Sequence, residues 1–553
     1  MTKQPVTLIV GGVAGGATAA ARLSRLDSGR RIVIIERGAH VSFANCGLPY
    51  YIGGVIEEKK SLLLASPELF LERYGIEVLT RHEALAIHPE SSTLEVMNLE
   101  TGETVTMAYD ELVLAPGAAP FRPPMPGIDL PGVMTLRNVP DAEKMRDLVR
   151  RGGVRRALII GAGFIGLEVA ENLCLQGVEV ELVEGGRHVL PPLDAPMSAY
   201  VEQVLRREGV HVETNRLVRG LRRTDNGTLQ AYSEGWESRE ADMVLLSIGV
   251  RPETELARSA GIRLGTAGAI LVDTQMRTSI PGIWAVGDAV EVRSRVTGKA
   301  MTLALAGVAQ KQARIAAGSI AGRREEFHSV LGTGVLRVFG TTAAMTGMNP
   351  EGLARMGYDE EWEYVDAHPF QHVTYYPGAE NIHMRLVYRV RDGLILGASA
   401  VGTDGAARRI DVIAALMGKG GTVYDLEEVE LCYSPQEGAA KDAANLMGMM
   451  AANHLRGLHP VAHVEDIGHP GTFLLDVREE AEVARTPYPG AVNIPLSRLR
   501  QRWRELPKDR DILVFCQMGA RAYNAVRYLN NQGLTARNIT GGYLTMSLVL
   551  NRR

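Results

Sequence analysis

The sequence predicts an α/β protein built on two dinucleotide-binding units, and two stretches predict it. The first opens with Val6–Val10, a short apolar run that reads as a buried strand. It leads into Gly11-Gly12-Val13-Ala14-Gly15-Gly16, then an alanine-rich helical segment through Leu26. A second apolar run, residues 32–35, ends at Glu36, twenty residues past Gly16, and Arg37 follows. Strand, glycine loop, helix, strand and terminal acid form the dinucleotide fingerprint in its required context. Gly11 makes the tight turn and Gly16 lets helix pack on strand. A pyrophosphate sits on the helix N-terminus, with Gly12, Ala14 and Gly15 around it, and Glu36 binds a ribose diol. Val13 is a departure, standing where the middle glycine usually falls.

The pattern returns in full. An apolar run at 157–160 meets Gly161-Ala162-Gly163-Phe164-Ile165-Gly166, a helix carrying Glu168, and a run at 178–183 that ends in Glu184. Two such units imply two cofactors, most simply a flavin and a nicotinamide. A carboxylate at Glu184 accepts hydrogen bonds from a ribose 2′-hydroxyl and repels a 2′-phosphate, which favours NADH over NADPH. Arg187, three residues on, softens that preference and leaves NADPH open.

Elsewhere the totals exclude more than they assign. With 553 residues the chain is expected to hold about three to five domains. Its 46% hydrophobic and 22% charged residues describe an ordinary globular protein, and a net charge of −4 gives no footprint for nucleic acid or an anionic membrane. Lys3, the apolar run and Ala19-Ala20-Ala21 imitate a signal peptide, but the nucleotide-binding unit uses all of these residues. No apolar stretch is long enough to span a bilayer. The four cysteines, Cys46, Cys174, Cys432 and Cys516, lie far apart with no C-x-x-C pair, so neither a zinc knuckle nor a metal site is expected. So few cysteines suit a reducing compartment, and the expected location is cytoplasmic.

Two later segments extend the first unit. Leu112-Val113-Leu114-Ala115-Pro116-Gly117-Ala118 is an apolar strand entering a tight turn, and Thr278-Ser279-Ile280-Pro281-Gly282-Ile283-Trp284-Ala285-Val286-Gly287-Asp288-Ala289 is a strand ending in Gly-Asp. With these, the chain resembles the FAD-dependent pyridine nucleotide-disulfide oxidoreductases. The resemblance implies that Asp288, with Gly287, holds the flavin's ribityl and pyrophosphate part. The helix starting near Leu305-Ala306 would point its N-terminus at the flavin. Ala115, Gly117 and Gly249 are taken as cofactor-binding, as are Gly163, Ile165, Gly166 and Glu168, and Phe164 would shield the flavin face. An FAD-binding domain is expected over 1–115 and 250–325, an NAD-binding domain over 116–249, and an α+β dimerisation domain over 330–452. A linker is expected at 453–463. Beyond it, Asp476-Val477-Arg478, Pro489-Gly490-Ala491-Val492 and Cys516-Gln517-Met518-Gly519-Ala520-Arg521 resemble an α/β rhodanese domain covering 464–553. There Cys516 enters a loop whose backbone N–H groups cradle an anion, and Arg521 adds positive charge. Pro487 stands where that family often has histidine.

The segment Ser42-Phe43-Ala44-Asn45-Cys46-Gly47-Leu48-Pro49-Tyr50 narrows the branch. Its single cysteine excludes the C-x-x-x-x-C dithiol of many relatives. On a helix N-terminus Cys46 would have a lowered pKa and rest as thiolate. Ser-Phe-x-x-Cys-Gly resembles coenzyme A-disulfide reductases and NADH oxidases or peroxidases. The latter place a histidine in the first glycine loop where Ala14 stands, which argues against peroxide chemistry. Tyr375-Tyr376-Pro377-Gly378 and Tyr433-Ser434-Pro435, followed by Lys441-Asp442 and Asn445, resemble the coenzyme A branch. The resemblance implies that Tyr375 and Tyr433 lie near the cysteine, at least one from the partner of a homodimer. Tyr375 is equally well read as an interface aromatic. Cys432 is expected to be a packing residue. Arg25, Ser42, Phe43 and Asn45 match coenzyme A positions; Arg22 is a further cation there or a solvated helix-face residue.

The implied function is NADH-dependent flavoprotein reduction of sulfane sulfur through Cys46, with Cys516 as sulfur carrier. Coenzyme A persulfide, coenzyme A disulfide, other persulfides and polysulfide are the candidate substrates. Three alternatives stay open: a disulfide reductase with an incidental rhodanese domain, a sulfurtransferase with flavin-driven recycling, and an NADH oxidase or peroxidase.

Overall fold

The computed structural model describes residues 4–550. They form two compact units, one running to Gly186 and resuming over Gly209–Gly332, the other comprising Arg187–Glu208 and the chain from Thr333 onward.

The first unit contains the same construction twice. One parallel sheet has the order Ile283–Ala285, Glu111–Leu114, Val6–Val10, Arg31–Glu36, Ile76–Thr80. The other runs Val133–Met134, Met243–Leu246, Arg156–Ile160, Glu179–Val183, His211–Glu213, also parallel. Their central strands are near-continuous apolar runs because both faces are covered, one by helices and the other by an antiparallel meander. Helix Ala14–Leu26 and helix Ala306–Ile320 meet one face through small residues. Ala17, Ala20, Ala313, Ala316 and Ala317 share a core with Ile9, Ile32 and Ile34, and the missing bulk lets the helices sit close to the strands. A three-stranded antiparallel meander accompanies each sheet, His82–His88 to Thr104–Ala108 in one and Gly220–Arg223 to Trp236–Glu237 in the other.

The second unit joins an antiparallel sheet to a parallel one. The antiparallel order is Gly334–Val338, Thr341–Gly347, Ile395–Gly402, His383–Arg389, Trp362–Ala367. The parallel order is Val461–Ala462, Ala536–Ile539, Asp511–Phe515, Thr472–Asp476, Val492–Asn493. The two are locked by buried and half-buried polar contacts. The Asp366 N–H donates to Thr540 Oγ1 at 2.6 Å, His368 Nε2 meets Thr545 Oγ1 at 3.0 Å, and His463 Nε2 meets Glu363 Oε1 at 2.6 Å. The C-terminal sheet is therefore docked rather than strung on a tether. The expected linker is correspondingly short: helix Ala443–Leu455 runs into it from one side and strand Val461–Ala462 closes it from the other.

Helix Ala195–Arg207 belongs to this second unit, although its sequence lies within the stretch expected for the NAD-binding domain. Tyr200 stacks on His383 with ring centroids 3.5 Å apart, and Asp194 pairs with Arg385, which also bonds both oxygens of Asp366. Burial works to raise the Asp194 carboxyl, and the two carboxylates hold Arg385 well above its ordinary value. Among the described residues no helix is long and apolar enough to cross a membrane.

Candidate active site

The two glycine loops are built alike, atom by atom. Gly11 has φ +95°, and a β-carbon on it would lie 2.1 Å from the Ala115 carbonyl oxygen; Gly161 has φ +104° and would meet the Ser247 carbonyl at 2.4 Å. A β-carbon on Gly16 or Gly166 would lie 1.8 or 2.1 Å from the carbonyl oxygen of Gly11 or Gly161 respectively, so neither position accepts a side chain. The two acids are also held identically. Glu36 accepts from the N–H groups of Gly12 and Gly38 at 2.8 and 2.6 Å. Glu184 accepts from those of Ala162 and Gly186 at 2.8 and 2.7 Å. Each carboxylate is thus oriented by the backbone, a bracing that the sequence fingerprint does not reveal.

A cavity of about 1000 Å³ opens beside the first loop. Of the expected cofactor and substrate residues, Gly11, Gly12, Ala14, Gly15, Glu36, Arg37, Phe43, Asn45, Ala115, Gly117, Gly287 and Asp288 line it. Burial pushes the Asp288 carboxyl up. The turn before it is pinned by Gln312, a fully buried side chain whose oxygen accepts the Gly287 N–H at 2.7 Å. Arg37 is committed to carboxylates, Glu83 at 3.3 Å and Glu253 at 3.1 Å, and Arg137 shares Glu253. Arg137, Glu253, His40 and His82 also line the cavity, and sequence reasoning missed them because no motif marks them.

Three helices face this chemistry without a capping side chain. Val13, Gly163 and Leu305 are the N-cap residues of helices Ala14–Leu26, Phe164–Cys174 and Ala306–Ile320, and none caps through its side chain. By contrast Ser66, Asn138, Asp194 and Asn349 cap their helices. Uncapped first-turn N–H groups next to glycine loops are seats for anionic ligand groups. Phe164 is half-buried, Ile165 is exposed, and Gly249, at φ +102°, receives the Phe121 N–H on its carbonyl.

Cys46 lies in a single 3-10 turn, Asn45–Gly47, that runs directly into helix Leu48–Ile52. Ser42, at φ +49°, donates its N–H to the Gly12 carbonyl at 2.8 Å and so ties this segment to the first glycine loop. The thiol departs from expectation. Although Cys46 is accessible, surrounding protein pushes its pKa up, and the charges of Glu168 and Asp288 push it further. The helix after it is too short, and the nearby acids too close, for a helix dipole to prevail. Tyr50 OH meets Glu168 Oε1 at 3.3 Å. Arg22 reaches Glu325 only at 4.0 Å, and Arg25 lies 5.9 Å from the Tyr74 ring.

In the second unit, Tyr375 and Tyr433 come together on the surface with their hydroxyls 2.9 Å apart. Cys432 is exposed, which corrects its reading as a packing residue: the loop that presents Tyr433 leaves it uncovered. Asp442 pairs with Arg409 at 2.9 Å, and Asn445 donates to the Val429 carbonyl at 2.8 Å, so both serve structure. Cys516 directly follows strand Asp511–Phe515, and the Gly519 N–H donates to its sulfur at 3.2 Å. Arg521, expected to add positive charge beside Cys516, has two partners. It interacts with Cys516 but forms a two-pronged pair with Glu482 at 2.6 and 2.7 Å, which offsets its charge and holds the Glu482 carboxyl down at about 2.

Three family models match the chain: the pyridine nucleotide-disulphide oxidoreductase model at residues 6–313, its dimerisation-domain model at 336–443, and a rhodanese-like domain model at 461–546. The chain belongs to the FAD-dependent pyridine nucleotide-disulphide oxidoreductases. It is 34% identical over 448 residues to a coenzyme A disulfide reductase of Staphylococcus aureus, covering 81% of this chain and 100% of the relative. Its fold matches that of reduced Bacillus anthracis CoADR-RHD at 40% identity and a TM-score of 0.96, over 99% of this chain and 98% of the other. It also matches a NAD-dependent persulfide reductase from A. fulgidus at 35% identity and a TM-score of 0.91, over 98% and 99%.

The family implies FAD and a nicotinamide dinucleotide, and the residues fit both. For the first, the braced Glu36, the uncapped helix at Val13, the Asp288 turn and the cavity between them are of the right size and polarity. For the second, Glu184 and the uncapped helix at Gly163 repeat the frame.

Proposed function

We propose that the protein is a homodimeric, NADH-dependent reductase of sulfane sulfur that works through Cys46 and uses Cys516 as a sulfur carrier. The observation that carries this reading is the pairing of two unlike free cysteines in one member of this family. One is accessible, in a segment with no second thiol; the other is buried, with its sulfur accepting a backbone N–H. A lone cysteine has to take its sulfur partner from the substrate. The persulfide and coenzyme A disulfide reductases among the relatives support that substrate class.

FAD, when bound, supplies two-electron chemistry between nicotinamide and sulfur. The chain's own residues do the rest. Glu36 and Asp288 bind and orient the first dinucleotide, Glu184 the second, with a preference for an unphosphorylated ribose. Phe164, at the head of its helix, excludes water from the face it covers. Arg22, Arg25, Ser42, Phe43 and Asn45 bind coenzyme A, whose pantetheine arm carries sulfur between the two cysteines. Cys46 attacks the substrate sulfur, and Tyr375 and Tyr433 donate hydrogen bonds to the leaving thiolate. The loop from Cys516 to Gly519 holds sulfur as a thiolate or persulfide. We assign the protein to the cytoplasm.

Substitution separates the readings. Cys46→Ser is expected to abolish NADH-linked persulfide turnover with FAD still bound; retained turnover removes Cys46 from the reaction. Cys516→Ser is expected to slow reduction of coenzyme A persulfide and polysulfide at least tenfold more than that of coenzyme A disulfide. An equal effect on all three makes the rhodanese domain incidental.

A further inference from the structure

Tyr50 and Glu168 are 118 residues apart in the chain and bonded to each other, phenol oxygen to carboxylate oxygen at 3.3 Å. The location of that bond gives it meaning. Tyr50 is four residues past Cys46, and the 3-10 turn Asn45–Gly47 continues without a break into helix Leu48–Ile52, so thiol and phenol are one helical turn apart. Glu168 stands on helix Phe164–Cys174, which starts at the second glycine loop. The charges acting on the pair come from Cys46 and Glu171, and Asp288 adds to the charge felt by Cys46; all are acids. Packed against the same helix, Arg146 of helix Val139–Arg150 lies 4.0 Å over the neighbouring Tyr51 ring.

We propose that Tyr50 and Glu168 form a proton relay to the Cys46 sulfur. The relay rests on the sulfur-reductase reading and supplies what that chemistry lacks. A thiol has to lose a proton to attack, and the sulfur it displaces has to gain one. The Glu168 carboxylate, through the Tyr50 hydroxyl, takes the Cys46 proton. The thiolate attacks the inner sulfur of a persulfide R–S–SH; the new sulfur–sulfur bond to Cys46 forms, the old one breaks, and its electron pair leaves on hydrosulfide. Tyr50 returns the proton, so the Cys46 thiol and R–S–SH become the mixed disulfide of Cys46 with R–S and hydrogen sulfide. No oxidant or reductant enters this step, and Glu168 ends as it began.

The acid–base properties suit the two roles. Burial lifts the Glu168 carboxyl to about 7, where it both accepts and donates near neutrality. Burial and the Glu168 charge push Tyr50 up to about 12, so it passes a proton on without ionising itself. Glu168 acts through Tyr50 and is a positioning residue in this sense; Tyr50, one helical turn past Cys46 and within reach of its charge, is the group that hands the proton on.

The test uses the FAD-loaded enzyme and two readouts. Iodoacetamide alkylation, read on the Cys46 peptide across pH, reports the thiol directly. Glu168→Gln removes a negative charge beside it, so the midpoint falls and alkylation below the midpoint becomes about threefold faster. For NADH-linked persulfide turnover, the wild type holds one proton between Glu168 and Cys46, and its rate is level from about pH 7 until the thiol titrates. In Glu168→Gln the rate instead climbs with pH along a single thiol ionisation. Tyr50→Phe keeps the Glu168 charge and the high alkylation midpoint but loses the transfer, lowering turnover about tenfold. An unmoved midpoint in Glu168→Gln, or an equal loss of rate at every pH in both variants, overturns the relay. A wild-type enzyme that turns over no persulfide fails the sulfur-reductase reading, while the alkylation midpoint still decides whether the pair controls Cys46.

Discussion

Gly161 shows how tightly single residues are specified here. Its φ of +104° disfavours any L side chain, and a β-carbon would sit 2.4 Å from a backbone carbonyl that has nowhere to retreat. Gly161→Ala is therefore expected to distort the second loop alone. The purified variant keeps its yellow FAD spectrum, while bleaching of that spectrum by NADH slows by at least tenfold; unimpaired bleaching would mean the loop does not seat the nicotinamide dinucleotide. Such positions are legible in sequence because glycine spacing and the terminal acid are local signals. Gln312 is not. Its bond to the Gly287 N–H crosses from a helix to a turn 25 residues earlier, and nothing around Gln312 in the chain announces it. Tyr50 and Glu168 are hidden in the same way, since each is unremarkable until folding places one beside the other.

Between elements, the lesson is docking. His368 and His383 meet through their Nδ1 atoms at 2.9 Å inside the second unit, with Tyr200 stacked on one side and Thr545 bonded on the other. Burial keeps both rings neutral, lowering His368 to about 4 and His383, which also feels His368, to about 3. An unfolded histidine titrates near 6.5. Above that pH the fold and the unfolded chain bind the same protons here, and the contribution to stability is full. As pH falls below it, the unfolded chain takes up protons that the fold refuses, so stability drains away until the folded values are reached. The melting temperature is expected to fall between pH 6.5 and 4, and to fall less steeply in His368→Gln; parallel curves for the two proteins would contradict this. The strands on either side of this junction are readable as apolar runs, and the C-terminal domain as a set of motifs. Their mutual packing is not, nor is the transfer of helix Ala195–Arg207 to this unit. Both depend on polar contacts across more than 150 residues, which leave no period in the sequence.

For the whole molecule, the proposed dimer makes a sharper claim than size alone. If Tyr433 serves the Cys46 of the other subunit, neither Cys46→Ser nor Tyr433→Phe homodimers are active. Mixed dimers, however, regain one intact site. Random reassociation of equal amounts should restore about a quarter of wild-type persulfide turnover, because half the dimers are mixed and each has one working site of two. No recovery would place Tyr433 in its own subunit's chemistry or outside it. The duplicated frame has a final consequence, for residence time. Both copies brace their acid in the same way, so the grip at the loop does not distinguish a permanent tenant from a visitor. What differs is that the chain returns from far downstream to lay Gly287, Asp288 and Ala309 along the first cavity. A ligand enclosed by that late-arriving clasp is expected to dissociate more slowly than one resting on the second frame, so that one scaffold, folded twice, would give a slow off-rate and a fast one.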